Sequence, residues 1–250
     1  MNITIPQTYE ELNEQQRGVL CSILLTSSPF GGGGGRLPLR IIKTLISHLP
    51  NRTQQQLLQE VPFTALWQYA EPFLSTEKLY HFRDLTKMIA PAPRLANLTI
   101  KQFSVADSLY YRLRLSQYQD ELLLRQLMAS LYNLPDTPFD VLNLPQVAEH
   151  TDKTPITTAY EVAFAYTCCR EYIINRFPKV FSSPSSTQRG ENPVFRKEAA
   201  YMPFSKIISV MAMDKHQPLG NWHQCNATRV YDFFEVLTES ILQAEQRAKS

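Results

Sequence analysis

The amino-acid sequence predicts a mainly α-helical fold, a compact multi-helix bundle. Two capping boxes, Thr8 with Glu11 and Thr99 with Gln102, each precede apolar residues at helical spacing. A third segment, residues 156–177, is apolar over most of its circumference, which is typical of a helix in the middle of a bundle. The chain has 250 residues, of which 44% are hydrophobic, so it can bury a sizeable core.

We expect residues 1–250 to form a single helical domain with two flexible segments. The first helix, predicted over residues 9–26, is followed by a Gly-rich linker at residues 27–36. A phosphate-binding P-loop needs Lys-Ser or Lys-Thr after its last glycine and a strand before its first, whereas here Arg36-Leu37 follows and a helix precedes. The five consecutive glycines therefore indicate a linker. Residues 182–193 are rich in Ser, Pro and Gly and are predicted to be a mobile loop.

Residues 37–93 are broken into short pieces by six prolines, each of which favours the start or the end of an element. Between residues 70 and 92, proline and turn residues flank short apolar runs. This pattern leaves room for one short β-hairpin in an otherwise helical chain.

The segment LTIKQFSVADSLYYRLRLSQYQDELLLRQLMASLYNL, residues 98–134, predicts two amphipathic helices joined by a short polar turn. The apolar residues at helical spacing are predicted to be core: Phe103, Ala106, Leu109, Tyr110, Leu113, Leu123, Leu124, Leu127, Met128 and Leu131. Tyr111 and Tyr118 fall off this stripe, and we expect these or other off-stripe aromatic residues to be exposed in a binding patch because interfaces favour tyrosine and tryptophan.

The last third of the chain predicts three helices. After the central helix, PFSKIISVMAM is expected to form a short buried helix, and Asn226 is the candidate cap of the final helix. Cys168 and Cys169 are adjacent, so a disulfide between them would be strained, and we expect them to pack as small apolar residues.

Composition and patterning disfavour several classes of protein. The formal net charge is +2 and the basic residues are scattered, so nucleic-acid binding is not favoured. The N-terminus lacks the basic and apolar regions of a secretory signal, and no window has the roughly 20 apolar residues needed to span a bilayer. Four irregularly spaced cysteines do not suggest a disulfide framework. We therefore expect a cytoplasmic protein with reduced thiols.

No motif for catalysis is found, and we predict no catalytic, cofactor-binding or metal-binding residues. A Gly-x-Ser-x-Gly elbow, a Ser-x-x-Lys pair and a His-Glu-x-x-His helix are absent from the sequence. The residue types of a metal site occur together only at Asp214, His216, His223 and Cys225, without the spacing of a zinc site. A small enzyme or metal protein centred on residues 214–225 remains the alternative.

Three blocks of the sequence resemble a group of prophage-type proteins encoded among tail or particle-assembly genes. The blocks are IPQTYEELNEQQ, LANLTIKQFSVADSLYYRLRLSQYQDELLLRQLMASLY and AYTCCREYIINRFPKVF. The resemblance covers most of residues 2–181 and, more loosely, the last helix. The chain departs from the group at Tyr9, where the group has Trp, and in its GGGGG insertion.

What the resemblance implies is a helical, non-enzymatic protein of phage or prophage origin. Its expected role is that of a tail-assembly factor or chaperone, which binds a phage tail or tape-measure-type protein. A structural component of the phage particle is the alternative within the same group. The resemblance assigns no individual binding residue and does not give the oligomeric state.

Overall fold

A computed structural model describes residues 4–27, 36–181 and 201–248, and within these ranges it contains twelve α-helices and no β-strand. The helices are α1 (Glu14–Thr26), α2 (Arg36–Leu45), α3 (Asn51–Glu60), α4 (Phe63–Ser75), α5 (Ile100–Leu115), α6 (Glu121–Leu131), α7 (Leu144–Thr151), α8 (Ile156–Arg176), α9 (Pro178–Phe181), α10 (Phe204–Met213), α11 (Trp222–Ala227) and α12 (Val230–Arg247). Single 3-10 turns lie at Pro93–Leu95 and Val141–Asn143. The mainly α-helical prediction is confirmed. The predicted linker, apart from its two end residues, and the predicted loop at residues 182–193 lie outside the described residues.

Helix α8 lies between two hydrophobic clusters. Val162, Tyr166 and Cys169 on one side pack into the larger cluster, which α5, α6, α10 and α12 also build. Phe164 and Ala165 on the other side pack into a smaller cluster built from α1, α2 and α4. From residue 156 to residue 170 no side chain of α8 is exposed, and exposed residues such as Glu171 occur only in its last turns. A helix covered on all sides must be largely apolar, which is why the composition of α8 predicted its position correctly.

Helix α1 begins later than the sequence suggested, and the predicted capping box is wrong. The Glu11 carboxylate accepts the backbone N–H of Gln7 at 2.7 Å instead of facing Thr8. The cap is Asn13, whose side chain accepts the backbone N–H of Gln16 at 2.9 Å, while the Gln16 side chain accepts the N–H of Asn13 at 3.1 Å. Two overlapping capping signals therefore compete within a few residues, and the second one starts the helix.

Helices α1 and α8 pack closely at Gly18. A Cβ atom placed on Gly18 would lie 2.8 Å from both the Cβ and the carbonyl oxygen of Thr157. Glycine is therefore required here for the close approach of the two backbones rather than for an unusual backbone angle.

The same pair of helices carries a buried ion pair. The Glu161 carboxylate on α8 binds Arg17 Nε at 2.7 Å and an Arg83 terminal nitrogen at 2.6 Å. The Glu161 side chain is 3% exposed. Arg83 also binds Glu14 at 2.9 Å, so the segment that follows α4 is tied to both helices.

The predicted β-hairpin between residues 70 and 92 is not present. Residues up to Ser75 continue α4, and the rest of the segment runs without a neighbouring strand. Ile89 forms one isolated antiparallel bridge, with Asn133. The segment is held by other contacts, among them the Tyr132 hydroxyl, which donates to the Arg83 carbonyl at 2.7 Å. These contacts with helices replace the strand pairing that a marginal two-stranded hairpin would need.

The two amphipathic helices between residues 98 and 134 are confirmed as α5 and α6, with all the predicted core residues buried or half-buried. Thr99 caps α5 by accepting the N–H of Gln102 at 3.3 Å. The Gln102 side chain does not return to Thr99, however. It donates to the carbonyl oxygens of Ser130 and Leu131 at the end of α6, both at 3.1 Å, and so connects the two helices.

The C-terminal predictions need two corrections. Helix α10 buries only one face, because Val210 and Met213 are exposed. Asn226 lies inside α11 and caps nothing, and α12 begins after Arg229, which provides no side-chain cap. The four cysteines are free and buried, and Cys168 and Cys169 pack as expected.

Candidate interaction groove

A groove of about 680 Å³, open to solvent, lies between α5, α6, α7 and the first turn of α10. Its described lining is Ser104, Val105, Ser108, Leu109, Leu122, Arg125, Gln126, Ala129, Val141, Leu144, Pro145, Ala148, Asp152 and Ser205. Most of the surface of these walls is apolar, with a small number of polar groups. A concave apolar surface of this size is typical of a binding site in a protein.

Helical spacing explains why three helices line one groove. Each contributes side chains that lie three or four residues apart and so share a face. These are Val105 and Leu109 of α5, Leu122, Gln126 and Ala129 of α6, and Leu144 and Ala148 of α7. The opposite faces of α5 and α6 are fully buried in the larger cluster. Both helices are therefore apolar on more of their surface than the core alone requires.

Large apolar side chains surround the mouth of the groove. Leu122 is 65% exposed and Val141 is 45% exposed, and the neighbouring Leu142 is 84% exposed. Exposed apolar patches that adjoin a groove are typical of interaction surfaces.

One wall of the groove is fixed by Arg125. Its guanidinium group binds Glu121 at 3.0 Å and donates to the carbonyl oxygens of Asp152 at 3.1 Å and Thr154 at 3.3 Å. These carbonyls follow the end of α7, so Arg125 connects α6 to the end of that helix. The Arg125 side chain is therefore held in place before any partner binds, which lowers the entropic cost of binding.

The opposite end of α7 is fixed by Asp140. Its carboxylate accepts the backbone N–H of Leu142 at 3.3 Å and binds Lys101 of α5 at 3.3 Å. The N–H of Leu142 and the Lys101 ammonium group lower the pKa of Asp140 below its usual value. Through these two contacts the carboxylate holds the turn that carries Val141 and Leu142 against α5.

A buried polar cluster supports the α5 wall from behind. Asp107, which is buried, binds Arg170 of α8 at 2.5 Å and accepts the Tyr201 hydroxyl at 3.0 Å. The Tyr201 hydroxyl also lies 3.3 Å from the hydroxyl of Ser108, which lines the groove. Burial, followed by the Asp107 charge, raises the pKa of Tyr201, so this tyrosine remains a neutral donor. No sequence pattern indicated this cluster, because its members lie far apart in the chain.

The structure does not place Tyr111 and Tyr118 in an exposed patch. Tyr111 is half-buried and stacks on Tyr201, with ring centroids 4.2 Å apart. Tyr118 is half-buried against the larger cluster, and its hydroxyl lies 3.1 Å from that of Tyr110. Burial raises the pKa of Tyr118. The prediction of an exposed binding patch at these two tyrosines is therefore wrong, although Tyr111 lies on α5 and Tyr118 in the turn between α5 and α6, the two helices that line the groove.

Residues 214–225 do not converge on a common point. Asp214 accepts the backbone N–H of His216 at 2.8 Å, which is a turn contact. His216 and His223 are exposed, whereas Cys225 is buried. Throughout residues 4–27, 36–181 and 201–248, no group of three or more His, Cys, Asp or Glu side chains could hold a metal ion.

The lining residues of the groove were not recognised in the sequence as a site. The sequence predicts Leu109 as a core residue and predicts no site in the connection that carries Val141, Leu144 and Ala148. The signal that could have found them is the excess of apolar residues on α6, where residues 122–124 are three consecutive leucines that point in different directions.

Comparison with known proteins gives no assignment. No protein family matches the chain, and neither a curated protein nor a solved structure is significantly similar to it. The resemblance to prophage-type proteins therefore stays a prediction. Among the helices of the described residues, none combines the length and the apolar character needed to cross a membrane.

Proposed function

We propose that this chain is a non-enzymatic, cytoplasmic assembly factor of phage or prophage origin, which binds a tail or tape-measure-type protein. The phage context of this proposal rests on the three sequence blocks that resemble prophage-type proteins. The mode of action rests on one structural observation, the apolar groove between α5, α6 and α7.

The geometry of the groove favours a peptide segment over a small molecule as its ligand. The groove is open to solvent, and large apolar side chains of its lining, Leu122 and Val141, are 65% and 45% exposed. A helix laid along the groove would cover more of these exposed side chains than a small molecule bound inside it. Helix recognition of this kind uses apolar anchors at positions i, i+3 or i+4 and i+7.

Charged side chains lie at both ends of the groove. Arg125 lies at the end of the groove close to Asp152, and the exposed pair of Lys101 and Asp140 lies at the other end of α7. Polar groups at the rim and apolar groups in the middle are the usual arrangement of a protein interface. The partner segment is therefore expected to be amphipathic, with its polar residues towards solvent.

The proposal can be tested by purifying the tagged protein from its native host after induction of particle production. Mass spectrometry should identify a tail or tape-measure-type protein in complexes from the lysate. Absence of the chain from finished particles would indicate an assembly chaperone, whereas its presence there would indicate a structural component. If no particle protein is found in either fraction, the phage proposal is wrong.

A pair of matched variants tests the role of the groove itself. Leu122→Glu places a charge inside the groove, and Leu115→Glu places the same charge on a leucine of nearly equal exposure, 64% against 65%, that does not line it. Loss of the particle partner with the first variant and its retention with the second is the expected result. Retention with both variants would show that binding does not use the groove.

A further inference from the structure

A second pocket, of about 520 Å³, lies on another face of the molecule and combines arginines with tyrosine rings. It is lined by Tyr80, His81, Pro93, Arg94, Ala96, Tyr172, Arg176 and Tyr231. None of these lining residues is acidic. Tyr80 lies in the segment after α4, Tyr172 and Arg176 on α8, and Tyr231 on α12, so distant parts of the chain meet here.

Arg94 is held in an unusual backbone conformation at the edge of this pocket. Its φ is +57° and that of Leu95 is +64°, in the left-handed region that residues other than glycine rarely adopt. Both backbone groups of Arg94 are bound: its N–H donates to the Tyr80 carbonyl at 3.1 Å, and its carbonyl accepts the Tyr231 hydroxyl at 2.7 Å. Strained backbone fixed in this way is concentrated at functional sites.

The guanidinium group of Arg94 contacts aromatic rings and not a carboxylate. It lies 4.6 Å from the ring centre of Tyr172 and 5.0 Å from that of Tyr80. Within the part of the chain that the structure describes, no acidic side chain lies within ion-pair distance of it. Its planar N–H donors are therefore oriented by the rings but remain available to an oxyanion.

Arg176 adds a second guanidinium group to the same pocket. Its guanidinium group lies 5.1 Å from the ring centre of Tyr231 and binds the exposed Glu235 at 3.1 Å. The basic residues are scattered along the sequence, and several of them are paired within the protein. At this pocket two arginines and three tyrosines converge.

From this geometry we infer that the pocket binds a nucleoside phosphate, with the phosphate on Arg94 and Arg176 and the base against the tyrosine rings. Arginine binds phosphate through two parallel hydrogen bonds. The volume exceeds what a phosphate ion needs and falls in the range of small-ligand sites. Tyrosine and arginine are also the residues on which bases stack. The ligand is either a free nucleotide or one nucleotide of a single strand.

This inference is independent of the proposed function, because the pocket shares no lining residue with the groove. Calorimetric titrations of the purified chain would compare the binding of adenosine 5′-monophosphate, adenosine and inorganic phosphate. A fluorescence titration would measure the binding of a labelled oligothymidylate of about 12 nucleotides, a length within the site sizes known for proteins that bind single strands. The variant is Arg94→Gln. The control is Arg112→Gln, an exposed arginine on α5 outside the pocket.

The expected result is tighter binding of the nucleotide than of adenosine or phosphate, weakened at least about tenfold by Arg94→Gln and unchanged by Arg112→Gln. If the oligothymidylate binds more tightly than the nucleotide and its binding weakens with salt, the ligand is a nucleotide within a single strand. If it does not, the ligand is a free nucleotide. No nucleotide binding up to about 5 mM, or equal binding by Arg94→Gln, would overturn the inference. If Arg94→Gln does not fold, Arg176→Gln, on a half-exposed side chain, gives the same comparison.

Discussion

The buried carboxylate of Glu161 should be a major determinant of stability, and Glu161→Gln tests this. The change removes one negative charge and keeps the shape of the side chain. It leaves the guanidinium groups of Arg17 and Arg83, which bind the carboxylate at 2.7 and 2.6 Å, without this counter-ion, although Arg83 keeps its contact with Glu14. Their side chains are only 21% and 13% exposed, so water cannot fully replace the lost interaction.

The expected loss follows from this burial. Breaking a buried pair by removing one partner costs about 3 to 5 kcal/mol. Because both arginines keep some contact with water and the introduced amide can still accept a hydrogen bond, we expect the lower end, about 3 kcal/mol. For a chain of this length, each kcal/mol lowers Tm by about 2 to 4 °C, so Tm should fall by about 6 to 12 °C.

The assay is thermal and urea unfolding followed by circular dichroism, with Glu171→Gln as the matched control. Glu171 lies on the same helix and pairs with Lys78 at 3.1 Å, but their side chains are 55% and 39% exposed. An exposed pair of this kind contributes about 1 kcal/mol or less. If both variants lose the same small amount of stability, the reasoning that burial makes the Glu161 pair strong is refuted.

Three further predictions concern packing, ionisation and capping. Gly18→Ala should lower the free energy of unfolding by about 1 to 2 kcal/mol despite the higher helix propensity of alanine, because the new methyl group meets the Thr157 backbone; unchanged urea midpoints would contradict this. Burial raises the pKa of Cys169 to about 12 from 9.0. As pH rises, the thiol therefore ionises first in the unfolded chain, and between pH 9 and pH 12 this group should lower the free energy of unfolding by about 1.4 kcal/mol per pH unit. Cys169→Ala should make the pH dependence of the urea midpoint less steep. The same slope in the variant and the unmodified protein would contradict this prediction. Asn13→Ala should lower the free energy of unfolding by about 1 kcal/mol because it removes the cap of α1, and Thr8→Ala should lower it less in the same assay. A larger loss with Thr8→Ala would indicate that the helix begins at Thr8.

Much of the helical structure was predictable because it depends on residues close together in the chain. The apolar repeats of α5 and α6 and the Thr99 cap are set by contacts between positions three or four apart, which can be counted along the sequence. The apolar circumference of α8 likewise predicted its central position. The start of α1 was missed because Thr8 and Asn13 offer equivalent local signals.

The binding surfaces were not predictable in the same way. The groove needs Val105, Leu122 and Leu144 from three helices on one side of the bundle, and the second pocket needs Arg94 and Tyr231 at one point. The sequence by itself determined the helical fold class, the central helix and the absence of known catalytic motifs. The tertiary structure alone decided which side chains outside the core lie together in the groove and in the second pocket, because the angles and distances between helices are set by packing of residues far apart in the chain.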